Sequence, residues 1–232
     1  MKPYKKHFDH SYAFGAFAVY ELLLARPEQA RAVYIHSHFK DDGKLRGICA
    51  PKNVPVIMDD RAFERVRAKD NSYVLAVFDK YMNDPDGGRP HLCLVNPMDM
   101  GNLGAICRSM AAFSVLDLAV ITPAADIFDP KTVRASMGAL FRLNVRQYAT
   151  FDEYHDAYKG RVFYPFMTDG AMSLADVCPK RPYTLIFGNE AAGLPPHFAH
   201  LGQSLCIPQS SRVDSLNLSA AVSIGLYEFS RF

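Results

Sequence analysis

Apolar residues along the chain fall into two stretches, separated at 83–90 by a polar segment that is rich in turn formers. In the first stretch, short apolar runs alternate with amphipathic helical patterns, which predicts a small α/β unit. The patterns predict helices at 15–25, 41–49 and 61–69, and strands at 32–35, 54–58 and 73–78.

The second stretch is a regular alternation of apolar strand-like runs and helical patterns. The predicted strands are 91–95, 118–121, 145–148, 162–166, 184–187 and 204–207, and the predicted helices are 103–113, 131–140, 151–158, 195–201 and 216–232. Such alternation is typical of a mostly parallel sheet covered by helices on both faces. We therefore expect an α/β fold with a small domain at 1–82, a linker at 83–90 and a second domain at 91–232.

The composition is that of a folded globular protein. Of the 232 residues, 49% are hydrophobic and 22% are charged, which is ordinary for a globular domain. No apolar segment follows the basic N-terminal residues, so we expect no secretory signal, no membrane span and a cytoplasmic location. The net charge of +2 is too small to favour or exclude a nucleic-acid partner.

The cysteines give no sign of a disulfide or a zinc site. The chain has 5 cysteines, an odd number, and no two of them are spaced as CxxC. We expect all of them to be reduced and no metal to be bound. His36 and His38 lie two residues apart with no cysteine or carboxylate cluster beside them, which favours a surface or strand-edge pair.

Three polar segments begin where predicted strands end or helices begin. The first starts at Asn102, whose side chain suits an N-cap, and continues through Gly104 to Arg108. At about 100° per residue, Arg108 lies opposite the apolar stripe of its helix and should be exposed. Taken alone, this segment is an ordinary cap followed by an ordinary exposed arginine.

The second segment, 187–195, places Gly188, Asn189 and Glu190 directly after a buried strand, where parallel α/β sheets bind ligands. A plain turn is the alternative, with Glu190 as a charge favoured by a helix dipole. In the third segment, 207–219, a strand ends at proline and the last helix opens with two capable caps, a serine and an asparagine.

In this order, the three segments resemble the sequence blocks of the SpoU/TrmH family of the SPOUT superfamily, which are SAM-dependent RNA 2′-O-ribose methyltransferases. The resemblance extends over most of 89–232 and includes 129–139, while the N-terminal part more loosely resembles a small ribosomal-protein-like RNA-binding domain. It implies a C-terminal trefoil knot, S-adenosyl-L-methionine as cofactor, tRNA or rRNA as substrate, and a homodimer. No GxGxxG or P-loop motif is present, which disfavours the common nucleotide-binding alternatives.

Site residues follow from this resemblance, position by position. Those that match the family's catalytic set are Asn102, Arg108, Glu190, Ser215 and Asn217. Those that match cofactor-binding positions are Phe187, Gly188, Asn189, Gly193, Leu194, Ile207, Pro208 and Leu216. The candidates for RNA binding are Arg61, Arg65 and Lys69, which recur along one helix face, and Arg134 and Ser136 in the segment 129–139. The helical cations have a plainer interpretation as a solvated face.

Two positions depart from the family pattern, because Ala191 and Ser211 stand where glycine is usual. The resemblance makes Arg108 a proposed base, yet a guanidinium stays protonated at neutral pH. Binding an RNA phosphate or stabilising a developing alkoxide is an equally good role. Ser215 and Asn217 would position Arg108 or the ribose, and Glu190 would hold the loop. Two alternatives remain: a non-catalytic knotted RNA-binding assembly protein, and a base or small-molecule methyltransferase.

Overall fold

The structure is a computed structural model that describes residues 1–66 and 72–232. The chain forms two compact units. The first contains Met1–Tyr81 and Asp126–Arg142, and the second contains Met82–Ala125 and Leu143–Phe232. The segment Asp126–Arg142, which we expected within the second domain, therefore groups with the N-terminal residues.

The elements follow one another in this order. The strands are β1 His10–Phe14, β2 Ala30–Ile35, β3 Val56–Met58, β4 Val74–Asp79, β5 His91–Val95, β6 Asp117–Ile121, β7 Asn144–Tyr148, β8 Val162–Pro165, β9 Met172–Ser173, β10 Tyr183–Phe187 and β11 Leu205–Cys206. The α-helices are α1 Ala16–Ala25, α2 Asp42–Cys49, α3 Asp60–Arg65, α4 Met100–Ala112, α5 Pro130–Ala135, α6 Phe151–Ala157 and α7 Leu218–Phe229. Short 3-10 turns lie at Pro27–Gln29, Ala50–Lys52, Ala139–Arg142, Leu174–Asp176 and Pro196–His200.

Every predicted strand is present, within one or two residues of its predicted ends. The patterns did not predict β1 or the two-residue β9. In β1 three successive side chains, Ser11 to Ala13, are buried, so the strand lacks the alternation that marks a half-exposed strand.

Two predicted helices were wrong in extent or type. The helix predicted at 131–140 ends at Ala135, because Met137 and Gly138 take positive φ angles of 52° and 81°. A Cβ on Gly138 would lie 2.6 Å from the Cβ of Glu21, so glycine permits this close approach. The helix predicted at 195–201 is a 3-10 turn. The helix predicted at 61–69 is present as α3 up to Arg65, and its last residues lie outside the described part of the chain.

The sheet of the first unit has the order β1-β4-β2-β3, with only β2 and β3 parallel. On one face, Phe78 packs edge-on against Phe128 and Phe141. On the opposite face, Tyr12 and Val77 form a core with Phe63 of α3.

The sheet of the second unit has the order β7-β6-β5-β10-β8 and is parallel throughout. Side chains alternate between its faces. Ile186 packs in a cluster with Tyr154 of α6, and the next residue, Phe187, lies against α7 at Gly225. The predicted mostly parallel sheet with helices on both faces is therefore confirmed.

The strand order places the carboxyl ends of β5 and β10 side by side, although the two strands are far apart in sequence. Such a position is where open α/β sheets form binding crevices. Helix α4, which comes after β5 in the chain, packs against the C-terminal helix α7. At this contact the hydroxyls of Ser109 and Ser223 lie 2.7 Å apart. Among the described residues, no helix has both the length and the apolar character needed to cross a bilayer.

Candidate functional site

A cavity of about 260 Å³ lies at the carboxyl ends of β8 and β10. The rings of Phe166 and Phe187 stack beside it, with centroids 4.2 Å apart and planes within 17°. Gly225 of α7 lies against these rings, where a Cβ would come within 2.9 Å of Phe166. The remaining lining residues are Met167, Thr168, Gly188, Asn189, Glu190, Ala191, Ala192, Gly193, Ile207, Gln209, Ser215, Leu216, Leu218 and Ala221.

The loop after β10 is a tight hairpin that glycine makes possible. The N–H of Asn189 donates to the Gly193 carbonyl at 3.2 Å, and the N–H of Gly193 donates back at 2.9 Å. A Cβ on Gly188 would lie only 2.1 Å from the Gly193 carbonyl carbon, and Gly193 itself has a φ of +67°. Any side chain at 188 would therefore force the two sides of the loop apart.

The side chain of Asn189 fixes the same loop from inside. Its Oδ1 accepts from the backbone N–H groups of Ala191 at 2.9 Å and Ala192 at 3.1 Å. Its Nδ2 donates to the carbonyl of Asn96, next to the end of β5, at 2.8 Å. Asn189 thus holds the loop against the neighbouring strand rather than presenting its amide to a ligand.

Glu190 links this loop to the start of α4. One carboxylate oxygen accepts from the backbone N–H of Met98 at 3.0 Å. The other accepts from the N–H of Asp99 at 3.0 Å and from Nδ2 of Asn102 at 3.4 Å. Burial raises the pKa of Glu190, but these donors together outweigh it and leave the pKa below its usual value. The group is therefore an anion at neutral pH.

Asn102 and Asn217 join the start of α4 to the start of α7. Nδ2 of Asn217 donates to Oδ1 of Asn102 at 3.0 Å, while Oδ1 of Asn217 accepts from the N–H of Ser219 at 2.9 Å. The predicted cap at Asn217 is thus confirmed. The predicted cap at Asn102 is wrong, because Asp99 caps α4 by accepting from the Asn102 N–H at 2.7 Å. That leaves the amide of Asn102 free to bridge Glu190 and Asn217.

These polar groups line a second, more open cavity of about 620 Å³ that shares Asn189, Glu190 and Ala191 with the first. It is also lined by Met98, Asp99, Asn102 and Asn217. We call the second one the polar cavity, because most of its lining side chains are polar. It adjoins the first cavity, and the Glu190 loop forms their common wall.

Most of the predicted cofactor-binding residues line the first cavity, with two exceptions. Leu194 instead packs in the core cluster with Ile186 and Phe198. Pro208 is exposed and lies between the lining residues Ile207 and Gln209. Ser211, at one of the two positions where glycine was expected, is exposed, and Ala191 lines both cavities.

Of the predicted catalytic residues, Asn102, Glu190, Asn217 and Ser215 lie at the two cavities, whereas Arg108 does not. Arg108 is exposed on α4. Within the described residues it lines neither cavity and makes no hydrogen bond or ion pair. A single chain therefore does not bring this guanidinium to the other four residues.

The predicted RNA-binding residues that the structure describes belong to the first unit. Arg61 and Arg134 are exposed, and Arg65 pairs with Asp59 at 3.3 Å. Lys69 lies outside the described residues. Ser136 corrects our prediction, because it is fully buried and its hydroxyl donates to the Val133 carbonyl at 2.7 Å. The same hydroxyl accepts from the N–H of Gly138 at 3.2 Å, so it is satisfied inside the protein and is not available to RNA.

Sequence reasoning missed several residues that build the site. Phe166, Met167 and Thr168 follow β8. The rule that ligands bind at the carboxyl ends of parallel strands could have identified them. The backbone donors Met98 and Asp99 carry no side-chain signal. In the described part of the chain, no cluster of three or more His, Cys, Asp or Glu side chains is arranged to hold a metal ion.

Comparison with known proteins relates this site to RNA methylation. The profile of the SpoU rRNA Methylase family matches residues 89–227. A 23S rRNA (uridine(2479)-2′-O)-methyltransferase from Streptomyces viridochromogenes is 34% identical over 144 residues, 57% of this chain and 49% of that protein. A protein named ribosomal RNA small subunit methyltransferase G 2 from Syntrophobacter fumaroxidans is 33% identical over 150 residues, 64% of this chain and 29% of that protein. The chain thus spans about half or less of the length of these curated relatives.

The same fold occurs in solved structures. The SpoU methyltransferase AviRb from Streptomyces viridochromogenes, in complex with AdoMet, superposes with a TM-score of 0.82 at 24% identity. The match covers 96% of this chain and 90% of that one. At this identity the likeness establishes a common fold.

Proposed function

Because the chain belongs to the SpoU rRNA methylase family, we propose that it transfers a methyl group from S-adenosylmethionine to a ribose 2′-hydroxyl of tRNA or rRNA. The observation that carries this proposal is the network of Glu190, Asn102 and Asn217. It joins the loop after β10 to the starts of α4 and α7, which are distant in sequence, at the boundary between the first cavity and the polar one.

The residues that line the first cavity suit the chemistry of the cofactor. An adenine ring binds through an apolar contact on its faces and through donors and acceptors at its edge. The stacked rings of Phe166 and Phe187 and the side chain of Leu218 supply the apolar part. Within the described residues, the backbone N–H groups of Gly188, Ile207 and Leu216 have no hydrogen-bond acceptor, so they are free to bind a polar ligand.

Methyl transfer requires the enzyme to align the reacting atoms more than it requires the enzyme to activate the methyl group. When bound, S-adenosylmethionine supplies a sulfonium methyl group that is already electrophilic. The polar cavity would hold the ribose, and Asn102 and Asn217 would orient the 2′-oxygen in line with that methyl group. The oxygen–carbon bond forms as the carbon–sulfur bond breaks, and the hydroxyl proton passes to solvent or to a nearby base. Glu190, bonded to two backbone amides, holds the loop and does not need to accept that proton.

Arg108 enters this scheme through a homodimer. It lies on α4 at helical spacing with Gly101, Ala105 and Ala112, small residues that allow a second helix to approach closely. On α7, which packs on α4, Tyr227 is 55% exposed. We therefore propose that two copies pair through these helix faces and that Arg108 of each reaches the polar cavity of the other. There it would bind an RNA phosphate or stabilise the developing alkoxide.

The remaining parts of the proposal concern topology and location. The C-terminal trefoil knot is supported by the parallel pairing of β9 with β11 and by Gly170. A Cβ on Gly170 would lie 2.3 Å from the Leu205 carbonyl carbon, so the two chain segments cross in close contact. The unit containing Met1–Tyr81 would bind RNA. The free thiols of the cysteines support a cytoplasmic location.

A subunit-mixing experiment tests the reaction and the role of Arg108 together. Arg108→Ala protein and Asn217→Ala protein are assayed separately and after mixing and re-equilibration, with labelled S-adenosylmethionine and total RNA. Each alone should lose at least about 100-fold in ribose methylation, because each lacks one essential group in every site. The mixture should recover about a quarter of wild-type activity, since half of the dimers carry one intact site.

Three results would contradict this reasoning. Failure of wild-type protein to label ribose in any RNA, despite measured cofactor binding, would support the non-catalytic RNA-binding alternative. Labelled bases in place of labelled ribose, detected by nucleoside mass analysis, would identify a base methyltransferase. If the mixture recovers no activity although mixed dimers form, Arg108 does not act across the subunits.

A further inference from the structure

The N-terminal residues form a run of aromatic rings interleaved with cations. The ring centroids of Phe8 and His10 lie 5.1 Å apart with planes within 15°, and Tyr12 follows 5.7 Å beyond His10. Tyr4 and Phe14 extend the run at its two ends. Three lysines in the same segment, Lys2, Lys5 and Lys6, are exposed.

Part of this run borders a cavity of about 470 Å³ on the sheet of the first unit. Phe8, His10 and Tyr12 line it from one side, and Arg31 and Tyr34 line it from β2. Val77 of β4 lies opposite Tyr12 in the sheet register and completes the apolar floor. Aromatic faces, an apolar floor and a guanidinium thus meet in one concave site.

Ion pairs hold the polar walls of this cavity in place. Asp9 accepts from Nδ1 of His10 at 2.7 Å and from Nη2 of Arg31 at 2.8 Å. Nε of Arg31 also donates to Asp79 at 2.6 Å. The phenolic oxygen of Tyr12 donates to the Lys2 carbonyl at 2.7 Å. Because these side chains are already fixed, a ligand would not have to order them on binding.

Exposed cations lie around this cavity, while Arg31 in its wall is neutralised by Asp9 and Asp79. The side chain of His10 is 24% exposed at the rim, so its ring is accessible from solvent. Helix α3 packs on the same face of the sheet through Phe63 and carries the exposed Arg61 and Arg65. Cations around an aromatic cavity are the pattern by which proteins bind single-stranded nucleic acid, with bases on rings and phosphates on cations.

We propose that this cavity holds one unpaired base of the RNA substrate, stacked on the Phe8–His10 pair, with the flanking phosphates on the exposed lysines and arginines. The proposal rests on the proposed function for the identity of the ligand as RNA. A base inside a helix cannot present its face to a ring, so this site selects loops, bulges and single-stranded ends. It would give the N-terminal unit a preference for RNA shape that the methylation site alone does not supply.

Direct binding to two forms of one RNA tests this. The probes are a fluorescent hairpin with a loop of randomised unpaired nucleotides, and the same strand annealed to its full complement. Anisotropy titrations at one fixed salt concentration compare wild type with Phe8→Ala and with Tyr73→Ala. Tyr73, which is 39% exposed and contacts His36 and His38, is a matched aromatic outside the cavity.

We expect Phe8→Ala to weaken hairpin binding by roughly five-fold or more, the range for loss of one base–aromatic stack. Its effect on the duplex should stay below about two-fold, as should the effect of Tyr73→Ala on either RNA. If wild type binds neither RNA, or if Phe8→Ala changes both forms equally or changes neither, the proposal is overturned.

A second measurement needs no substitution and so does not depend on the variant's folding. Wild-type protein is photo-crosslinked to the same hairpin carrying 4-thiouridine in the loop, and the labelled peptides are sequenced. Crosslinks within residues 1–14 or 30–35 support the cavity, and crosslinks found only elsewhere overturn it. Neither readout involves methyl transfer. Loop binding without ribose methylation would therefore end the proposed function alone, and methylation without any effect of Phe8 would end only this inference.

Discussion

Replacing Glu190 with glutamine tests whether the carboxylate holds the site together. The two carboxylate oxygens accept from the N–H groups of Met98 and Asp99, each at 3.0 Å. Glutamine has only one acceptor oxygen, so its NH₂ group must face one of these N–H donors. The variant therefore loses one charge-assisted hydrogen bond and leaves a backbone donor without a protein partner, at a cost of about 1–3 kcal/mol.

Because Glu190 is partly exposed, the expected loss of unfolding free energy lies in the lower part of this range. Water can reach an unpaired donor here, so we expect a loss of about 1–2 kcal/mol. For a chain of this length that corresponds to a melting temperature roughly 2–8 °C lower. Cofactor binding should weaken as well, since the loop of Glu190 lines the first cavity.

The stability difference should also depend on pH in a defined direction. The pKa of Glu190 is lowered from its usual 4.5 by its backbone and amide donors, which outweigh the opposing effect of burial. Its contribution is therefore fully present above the unfolded pKa and is lost as pH falls through the folded pKa. The difference in unfolding free energy between wild type and Glu190→Gln should accordingly become smaller below about pH 4.5.

Thermal and urea unfolding of wild type, Glu190→Gln and Glu153→Gln provide the measurement. Glu153 is an exposed glutamate that accepts from a single backbone N–H, that of Ala149 at 2.9 Å. Glutamine can keep that one bond, so Glu153→Gln should cost less than about 0.5 kcal/mol. If both variants unfold like wild type, the two bonds of Glu190 do not hold the loop, and our account of the site is wrong.

Two further predictions concern the loop glycine and a buried histidine. Gly188→Ala should weaken cofactor binding by at least about ten-fold in calorimetry, because the new methyl group must displace Gly193. The control is Gly43→Ala, whose new methyl group meets no atom within 4 Å. Equal cofactor affinities of the two variants would refute the argument. Burial and the charge of Arg161 lower the pKa of His91 from 6.5 to about 4. The free energy of unfolding should therefore fall by roughly 3 kcal/mol as the pH drops through this range, because the unfolded chain takes up a proton on His91 first. His91→Gln should flatten that dependence in urea unfolding, and parallel curves would contradict it.

The sequence by itself determined the five strands of the second unit's parallel sheet and the order of its site segments. The strand predicted at 91–95 matches β5, and the strand at 184–187 differs from β10 by one residue. Strands buried on both faces are continuous apolar runs, and such runs are visible within five residues. The turn glycines and polar residues that follow them are equally local. Their order is what resembles the SpoU/TrmH sequence blocks, and it is from this resemblance that Gly188, Glu190 and Asn217 were selected as candidate site residues.

Tertiary contacts decided what those residues do. Asn102 is a capable cap by type, but Asp99 takes that place, and the amide of Asn102 is used for Glu190 and Asn217 instead. A local pattern cannot rank two possible caps when the outcome depends on partners 88 and 115 residues away.

The same reason accounts for the division of the chain and the position of Arg108. Helix α5 ends at Ala135, and its segment groups with the N-terminal unit, where Gly138 lies against Glu21. Arg108 is exposed as its helical position predicts, yet it lies away from both cavities of its own chain. The exposure of a helical side chain follows from the 3.6-residue period of the sequence. Whether that side chain lies near a cavity depends on how distant segments of the chain, or a second copy, pack together.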